Sequence, residues 1–315
     1  MRRGYIIRGS TTHRIISVPI LYKMLSVLIP TYNYNIVPLV TAVQQQCSDA
    51  GIPYEIIACD DASDGQTLLS DDLASRFPKL KYIKNPVNLG RTLTRRKLAE
   101  TAIFNNLLFL DADVLPVSNN FIKIYLPYLN KNMAVFGGYA YDDTSIKPDN
   151  LLRYTFGKQR EEVPASKRNE RPYCMVFSGN FLTDKAIFFE NNYPKNDNFY
   201  GLDLYFGYSL YKNSVNVCHI DNPIYHLGLE SDVVFFRKSL EAVKNRKVLL
   251  EDYPEIVMTN GLTKHYLKLK EIGMDKIVGL GFKLAEPLLR KMILRKKPNL
   301  FAFDVYRLGY ICNLK

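Results

Sequence analysis

From Leu25 to about Phe136, short apolar runs alternate with stretches whose apolar residues recur at helical spacing. Leu25-Ser26-Val27-Leu28-Ile29 reads as a buried strand ended by Pro30, and Ile36, Val37, Leu39, Val40 and Val43 then mark one face of a helix. Tyr54 to Ala58 predicts a second strand, Leu68 to Phe77 a helix and Leu80 to Ile83 a third strand. A basic helix from Arg91 to about Phe104 leads to a fourth strand, Leu107 to Leu110. Strand–helix–strand alternation of this kind predicts an α/β fold on a largely parallel sheet. Residues 145–172 lose the pattern and gather charge, which predicts an irregular excursion or mobile loop, with order returning from Cys174 to Phe181. After His226 the pattern is helical, over Val233 to Leu250, Leu262 to Ile272 and Ile277 to Leu294.

Composition narrows the class. At 315 residues and 47% hydrophobic, the chain can bury one large core or two modest ones. Its longest apolar runs, such as Ala134 to Tyr141, are too short to cross a bilayer, so an integral membrane protein is not expected. The net charge of +11 suits nucleic acid, an anionic membrane surface or phosphorylated ligands, or is simply a solvated basic face. Five scattered cysteines without a CxxC pair predict reduced, mostly buried thiols of a cytosolic protein. Met1-Arg2-Arg3 and the short run Ile15 to Leu21, broken by Pro19, make a poor signal peptide. Residues 1–23 are expected to be an arm that is disordered or not native, with the fold starting at Met24.

Ligands of open α/β sheets bind beyond the carboxyl ends of the strands. Those ends read Pro30-Thr31-Tyr32-Asn33, Cys59-Asp60-Asp61 and Leu110-Asp111-Ala112-Asp113. Two carboxylates spaced i, i+2 after a buried strand can share a hard divalent cation, Mg²⁺ or Mn²⁺, and a ribose; they can equally be a turn or helix-capping pair. Asp60 or Asp61 can accept hydrogen bonds from a base or ribose, while Ser63 and Asp64 serve to cap the next helix. Asn88-Leu89-Gly90-Arg91, with Arg95 and Arg96, opens a helix whose N-terminus and arginines could face phosphate or a nucleobase, or only water. Asp203 at a helix start either complements the helix dipole or acts as a general base. An isolated His226 is more often structural than a ligand.

Taken in order, these pieces resemble a family 2 glycosyltransferase of the GT-A fold, the type used in bacterial capsule and lipopolysaccharide assembly. The resemblance is carried by Leu25-Ser26-Val27-Leu28-Ile29-Pro30-Thr31-Tyr32-Asn33, the Asp60-Asp61-Ala62-Ser63-Asp64-Gly65 turn, Asn88, Gly90 and Arg95. Asp111-Ala112-Asp113, Ser178-Gly179-Asn180, Asp203 and His226 complete it, over about residues 24–240. It implies a Rossmann-like, mostly parallel central sheet flanked by helices, with 24–230 as the catalytic domain and 231–315 as a C-terminal helical, basic amphipathic extension. It implies an inverting, metal-dependent enzyme that moves a sugar, such as a hexose or N-acetylhexosamine, from a UDP-sugar to a glycan or lipid-linked glycan. Asp61 and Asp60 would bind the uracil or ribose, with Pro30, Thr31 and Asn33 in the same site. Arg95 would approach the base or diphosphate beside Asn88 and Gly90. Asp113 and His226 would hold Mn²⁺ or Mg²⁺, Asp111 and Ala112 would support the ribose side, Gly179 and Asn180 would border the sugar, and Asp203 would be the base. The family usually carries a Glu-Asp pair at that base, whereas Leu202 precedes Asp203 here.

Between Lys276 and Lys297 seven basic residues and one acid, Glu286, are interleaved with apolar residues, predicting a basic amphipathic helix kinked near Pro287. It suits the anionic inner face of a cell membrane, or packing on the catalytic domain with a solvated basic side. Phe301 to Tyr310 would dock the tail back or support a homodimer. A dinucleotide-dependent oxidoreductase should carry GxGxxG after the first strand, and a nucleotidyltransferase a phosphate-cradling Gly/Lys loop; neither is evident. A nucleic-acid binder fits poorly, because the basic residues cluster on an apolar tail. The rival is a non-catalytic sugar-nucleotide or glycan-binding member of the same fold.

Overall fold

The computed structural model describes residues 23–64, 76–195 and 200–314. The arm up to residue 22 and most of the helix expected over Leu68 to Phe77 lie outside these ranges. Strand β1 (Leu25–Thr31) is followed by helix α1 (Val37–Asp49), β2 (Tyr54–Asp60), β3 (Leu80–Lys84), α2 (Arg91–Thr101) and β4 (Asn106–Leu110). β1 pairs in parallel with β2 on one side and β4 on the other, and β2 with β3. Alternate residues of β1 serve two cores, as a period of two requires. Val27 and Ile29 pack with Val40 and Val43 of α1, while Leu28 packs with Leu98 of α2 and with Phe109.

The seven-stranded sheet has the order β3-β2-β1-β4-β8-β6-β9, completed by β6 (Ala134–Phe136), β8 (Asn180–Asp184) and β9 (Val217–His219). β8 runs antiparallel to both β4 and β6. Strand order reverses at β1, so the crevice between the carboxyl ends of β1 and β4 is where such a sheet receives a ligand. A second sheet, β5-β10-β7, is built from β5 (Val114–Pro116), β7 (Tyr139–Ala140) and β10 (Ile224–His226), and its antiparallel register sets His226 opposite Val114. This is the α/β alternation that the apolar pattern predicts, in the GT-A arrangement that the family resemblance implies.

Several boundaries differ from expectation. β1 does not stop at Pro30 but runs to Thr31, in register with Asp60. The segment 145–172 is ordered: after the short helix α3 (Phe121–Tyr125) earlier in the chain, it holds α4 (Leu151–Phe156), a π turn over Gly157–Glu161 and α5 (Ala165–Arg168). Its polar look hides burial through paired groups. Arg168, 1% exposed, donates to the carbonyls of Val163, Phe136 and Ile220 and to His219 Nδ1. Where order was expected to return from Cys174, residues 174–179 form turns, and regular structure resumes with the strand that begins at Asn180.

Helices α6 (Lys185–Asn191) and α7 (Asp203–Lys212) precede the second sheet's last strand, and four helices follow it: α8 (Asp232–Asp252), α9 (Gly261–Glu271), α10 (Asp275–Ile293) and α11 (Leu300–Asn313). α10 runs as one helix through Pro287, the position near which a kink was expected. α11 packs along α10, burying Phe303 and Tyr306 against Phe236 and Phe282. Among the described residues no helix is long and apolar enough to cross a membrane. All five cysteines are free thiols; Cys47 and Cys59 are buried, and burial pushes them up to about 12 and about 11, whereas Cys174 is exposed rather than buried.

Candidate active site

A cleft of about 1040 Å³ opens beyond the carboxyl ends of β1, β2 and β4 and extends to α8. Of the residues expected at the site, Pro30, Thr31, Asp61, Asn88, Gly90, Asp111, Ala112, Asp113, Asp203 and His226 line it. Asp60, Arg95, Gly179 and Asn180 are buried outside its lining, and Asn33 is exposed on a loop beside it.

Each of those five has a visible task. Asn33, in the left-handed region at φ 49°, joins two loops: its Oδ1 accepts from the Asp64 amide at 2.9 Å and its own amide donates to Ser63 Oγ at 2.8 Å. Asp60 is fully buried and accepts from the Ser63 amide at 3.0 Å and from the Tyr82 hydroxyl at 3.0 Å. Asn180 donates to the carbonyls of Gly138 and Asn222 and accepts from Tyr125, which uses up its amide. Gly179 lies under Asp111, accepting from the Asp111 amide at 3.1 Å, and a Cβ there would collide with the Tyr139 hydroxyl and the Asp111 carboxylate.

Asp61 occupies the helix start. Its carboxylate accepts from Asn85 at 2.7 Å and from the amides of Leu89 and Gly90 at 2.9 and 2.8 Å, as an anion at a helix N-terminus should. Gly90 takes φ 79° there, the left-handed region that a β-carbon disfavours. One lone pair of Oδ2 remains for a ligand by this count, on the cleft side.

Arg91 and Arg95 are four residues apart on α2 and so share a face. Both reach Asp111: Arg91 Nη2 makes a close ion pair with Oδ2, and Arg95 Nη2 donates to Oδ1 at 2.7 Å. Their Nη1 atoms each lie 3.6 Å from Asp203, whose Oδ1 also accepts from the Ser178 hydroxyl. Burial disfavours the charge on Asp111, but Arg91 and Arg95 more than offset it and hold its carboxyl below the usual carboxylate range. Sequence reasoning placed Arg91 among arginines that could face phosphate or a nucleobase, and quoted Ser178 within its motif without a role. The signal for Arg91 was its i, i+4 relation to Arg95.

The two-residue step along the chain separates the tasks of the DxD carboxylates. Asp111 is tied to arginines, whereas Asp113 Oδ2 faces His226 Nε2 at 3.5 Å. Leu227 donates its amide to the Asp113 carbonyl at 2.8 Å, and Gly228 passes so close that a Cβ would collide with the Asp113 carboxylate. His226 is flanked by Tyr139, edge-on at 5.7 Å between centroids, and Tyr141, stacked at 6.0 Å. Burial pushes the imidazole down, and although Asp113 pulls it up, the net shift is downward, leaving the neutral ring whose Nε2 lone pair can ligate a metal. Among the described residues no group of three or more His, Cys, Asp or Glu is gathered to hold a metal by itself. The fit is therefore two protein ligands, one oxygen and one neutral imidazole, leaving most of a six-fold shell to a diphosphate and water.

A GT-A sheet with acids, arginines and a carboxylate–histidine pair converging on its ligand crevice defines the class of sugar-transferring enzymes and their relatives. The sequence model of Glycosyl transferase family 2 matches residues 26–188, and the chain belongs to that family. Among curated proteins no sequence matches this chain. A crystal structure of S. aureus TarS is 18% identical over 70% of this chain and 39% of that one, with a TM-score of 0.47. S. aureus TarS 1–349 in complex with UDP is 19% identical over 70% of this chain and 64% of that one, with a TM-score of 0.48. The chain thus spans less than two thirds of either structure's length.

Proposed function

We propose that the protein transfers a sugar from a nucleotide diphosphate sugar, a UDP-sugar by the family resemblance, to a glycan or lipid-linked glycan, with inversion. The observation that carries this reading is the Asp113–His226 pair at 3.5 Å, set in the same cleft as Asp61, Arg91 and Asp203. Asp61 would take the nucleoside, and Asp113 with His226 would hold Mn²⁺ or Mg²⁺. The ion, when bound, would neutralise charge on the departing diphosphate.

The acceptor oxygen attacks the anomeric carbon, the bond from that carbon to the diphosphate oxygen breaks, and the acceptor proton passes to Asp203. Asp203 has the exposure for this, 39% of its side chain, and the Ser178 hydroxyl orients it. Such a base contributes roughly 10²–10⁴-fold. Arg91 bridges Asp111 and Asp203, tying the donor side of the cleft to the acceptor side. Leu202, 7% exposed, fills the place of the usual acid and packs with Tyr193 and Val243, so acceptor positioning would fall to other residues.

The protein is assigned in this reading to surface-polysaccharide synthesis, with residues 24–230 as the catalytic unit and 231–315 as its helical extension. The extension would rest on the inner face of the cell membrane. Thermal unfolding with UDP and Mn²⁺ tests the donor site. A raised midpoint that needs both and is lost in Asp113→Ala supports it; about 2.7 kcal/mol is expected at 100 times Kd. No shift with UDP, GDP or dTDP rejects the donor site, and donor binding without turnover favours the non-catalytic reading.

A further inference from the structure

Beyond Tyr200 the cleft is walled by three arginines, each with a nitrogen that is buried and without a hydrogen-bond partner: Arg153 Nη1, Arg246 Nε and Arg307 Nε. Arg153 and Arg307 are otherwise satisfied. Arg153 donates to Glu161 at 3.0 Å and Tyr141 at 2.9 Å, and Arg307 donates to Asp304 and lies over Phe303 at 4.7 Å. Arg246, on α8, has no carboxylate partner among the described residues. Its charged neighbour is Arg307, and burial together with that neighbour pushes the guanidinium down to about 10. Of the acids beside these arginines, Glu161 is engaged by Arg153 and Glu230 by Lys238, while Glu241 is exposed at the rim and makes no ion pair with Arg246. A half-buried guanidinium facing a second cation is unfavourable in the empty protein, and an oxyanion supplies what both lack.

We infer that Arg246, with Arg307 and Arg153, forms an oxyanion-binding subsite in the acceptor half of the cleft, which takes a phosphate or carboxylate group carried by the acceptor. The inference rests on the glycosyl-transfer reading of the cleft. Asp203, Arg153 and Arg246 all lie within electrostatic reach of Tyr200, and Arg153 also within reach of His226, so the subsite neighbours the base and its Arg153 edge borders the Asp113–His226 pair. An acceptor of this kind is a phosphorylated or acidic glycan, anchored by its charge while its hydroxyl meets Asp203. The subsite also offers an anchor where Leu202 has removed the usual acid.

The test titrates wild type, Arg246→Gln and Arg246→Lys with glycerol 3-phosphate, glucuronate and uncharged glycerol, with saturating UDP and Mg²⁺ present. The unfolding midpoint is the readout. The subsite predicts a saturable rise with one of the two anions over that of UDP and none with glycerol. That response should weaken at least tenfold in Arg246→Gln and in part return in Arg246→Lys; which anion acts separates phosphate from carboxylate. Without ligand, Arg246→Gln should unfold at the wild-type midpoint or above it, because an unpaired charge has gone. A lower midpoint in Arg246→Gln would identify a structural arginine and overturn the inference. So would no anion response, an undiminished response in Arg246→Gln, or a response that UDP abolishes, which would place the anion in the donor site. If UDP itself has no effect, the donor reading fails on its own, and the same titrations without UDP still decide the subsite.

Discussion

Arg95 keeps only 7% of its side chain exposed, and the groups it donates to, Asp111 and the Ser178 carbonyl, both belong to the protein. Arg91, one turn earlier, keeps 45% exposed in the cleft. Identical side chains on one helix face therefore do different work. Arg95→Met should cost about 3 kcal/mol in urea unfolding, since it strips a buried partner from Asp111. Arg91→Met should cost no more than about 1 kcal/mol and chiefly weaken UDP binding. Equal losses of stability would remove the distinction. His219 offers a second check at this scale. It is 2% exposed, with Nδ1 accepting from Arg168 and Nε2 donating to the Pro172 carbonyl at 2.8 Å. Burial first, with Arg168 also acting, pushes its imidazole down to about 4, below the unfolded value of 6.5. The unfolded chain then binds the extra proton, so this stability is whole above pH 6.5 and is lost as pH falls toward 4. Wild type should lose up to about 3 kcal/mol across that window, and His219→Gln should flatten the slope in unfolding measured against pH.

At the scale of elements, apolar period was a good guide wherever an element buries one stripe or lies wholly inside. β1, β4, α1, α8, α9 and α10 appear within a few residues of expectation. It failed over 145–172, where Arg153 is buried through Glu161 and the Phe235 ring and Arg168 through the carbonyls of Phe136 and Ile220; an apolar period cannot announce polar partners. α10 shows the opposite case. Phe282 and Ile293 pack inward, while Ile277, Leu280, Leu284 and Leu288 stay 61–82% exposed. Lys276, Lys283 and Arg290, seven apart, flank that stripe, and of the two acids on α10, Glu286 accepts from the Tyr306 hydroxyl and Asp275 lies at the helix start. A membrane role predicts binding to vesicles rich in phosphatidylglycerol but not to phosphatidylcholine, weakened by salt and by Leu280→Ser with Leu284→Ser at least tenfold. Binding to both lipids alike, or none, counts against it; a concentration-dependent dimer that the same pair of changes dissolves would assign the stripe to a second copy.

At the scale of the molecule, the helices after residue 231 share apolar clusters with earlier parts of the chain. Leu152 and Phe156 sit with Phe235, Phe282 and Phe303, and Tyr193, Leu202 and Tyr208 sit with Val243, Leu249 and Ile311. Arg246 and Arg307 of these helices also line the cleft. Ending the chain after Pro298 should therefore lower the unfolding midpoint by several degrees and reduce solubility, because α11 covers Phe236 and Phe282. A truncated chain as stable as the whole would make α11 a dispensable appendage.

The sequence by itself determined the α/β alternation, the strand ends that carry Thr31, Asp61 and Asp111, and the family, because strand period and turn acids are local properties. The tertiary structure decided which carboxylate does what. Asp111 and Asp113 look alike in a DxD, but α2 brings two arginines to the first and the β5–β10 register brings His226 to the second. It also decided that Asp60, Asn180 and Arg95 are spent on protein partners, while Arg91 and Arg246 face the cleft. Which donors and acceptors a side chain meets depends on contacts between separate elements, up to the pairing of Asp113 with His226, and only the packed chain contains that information.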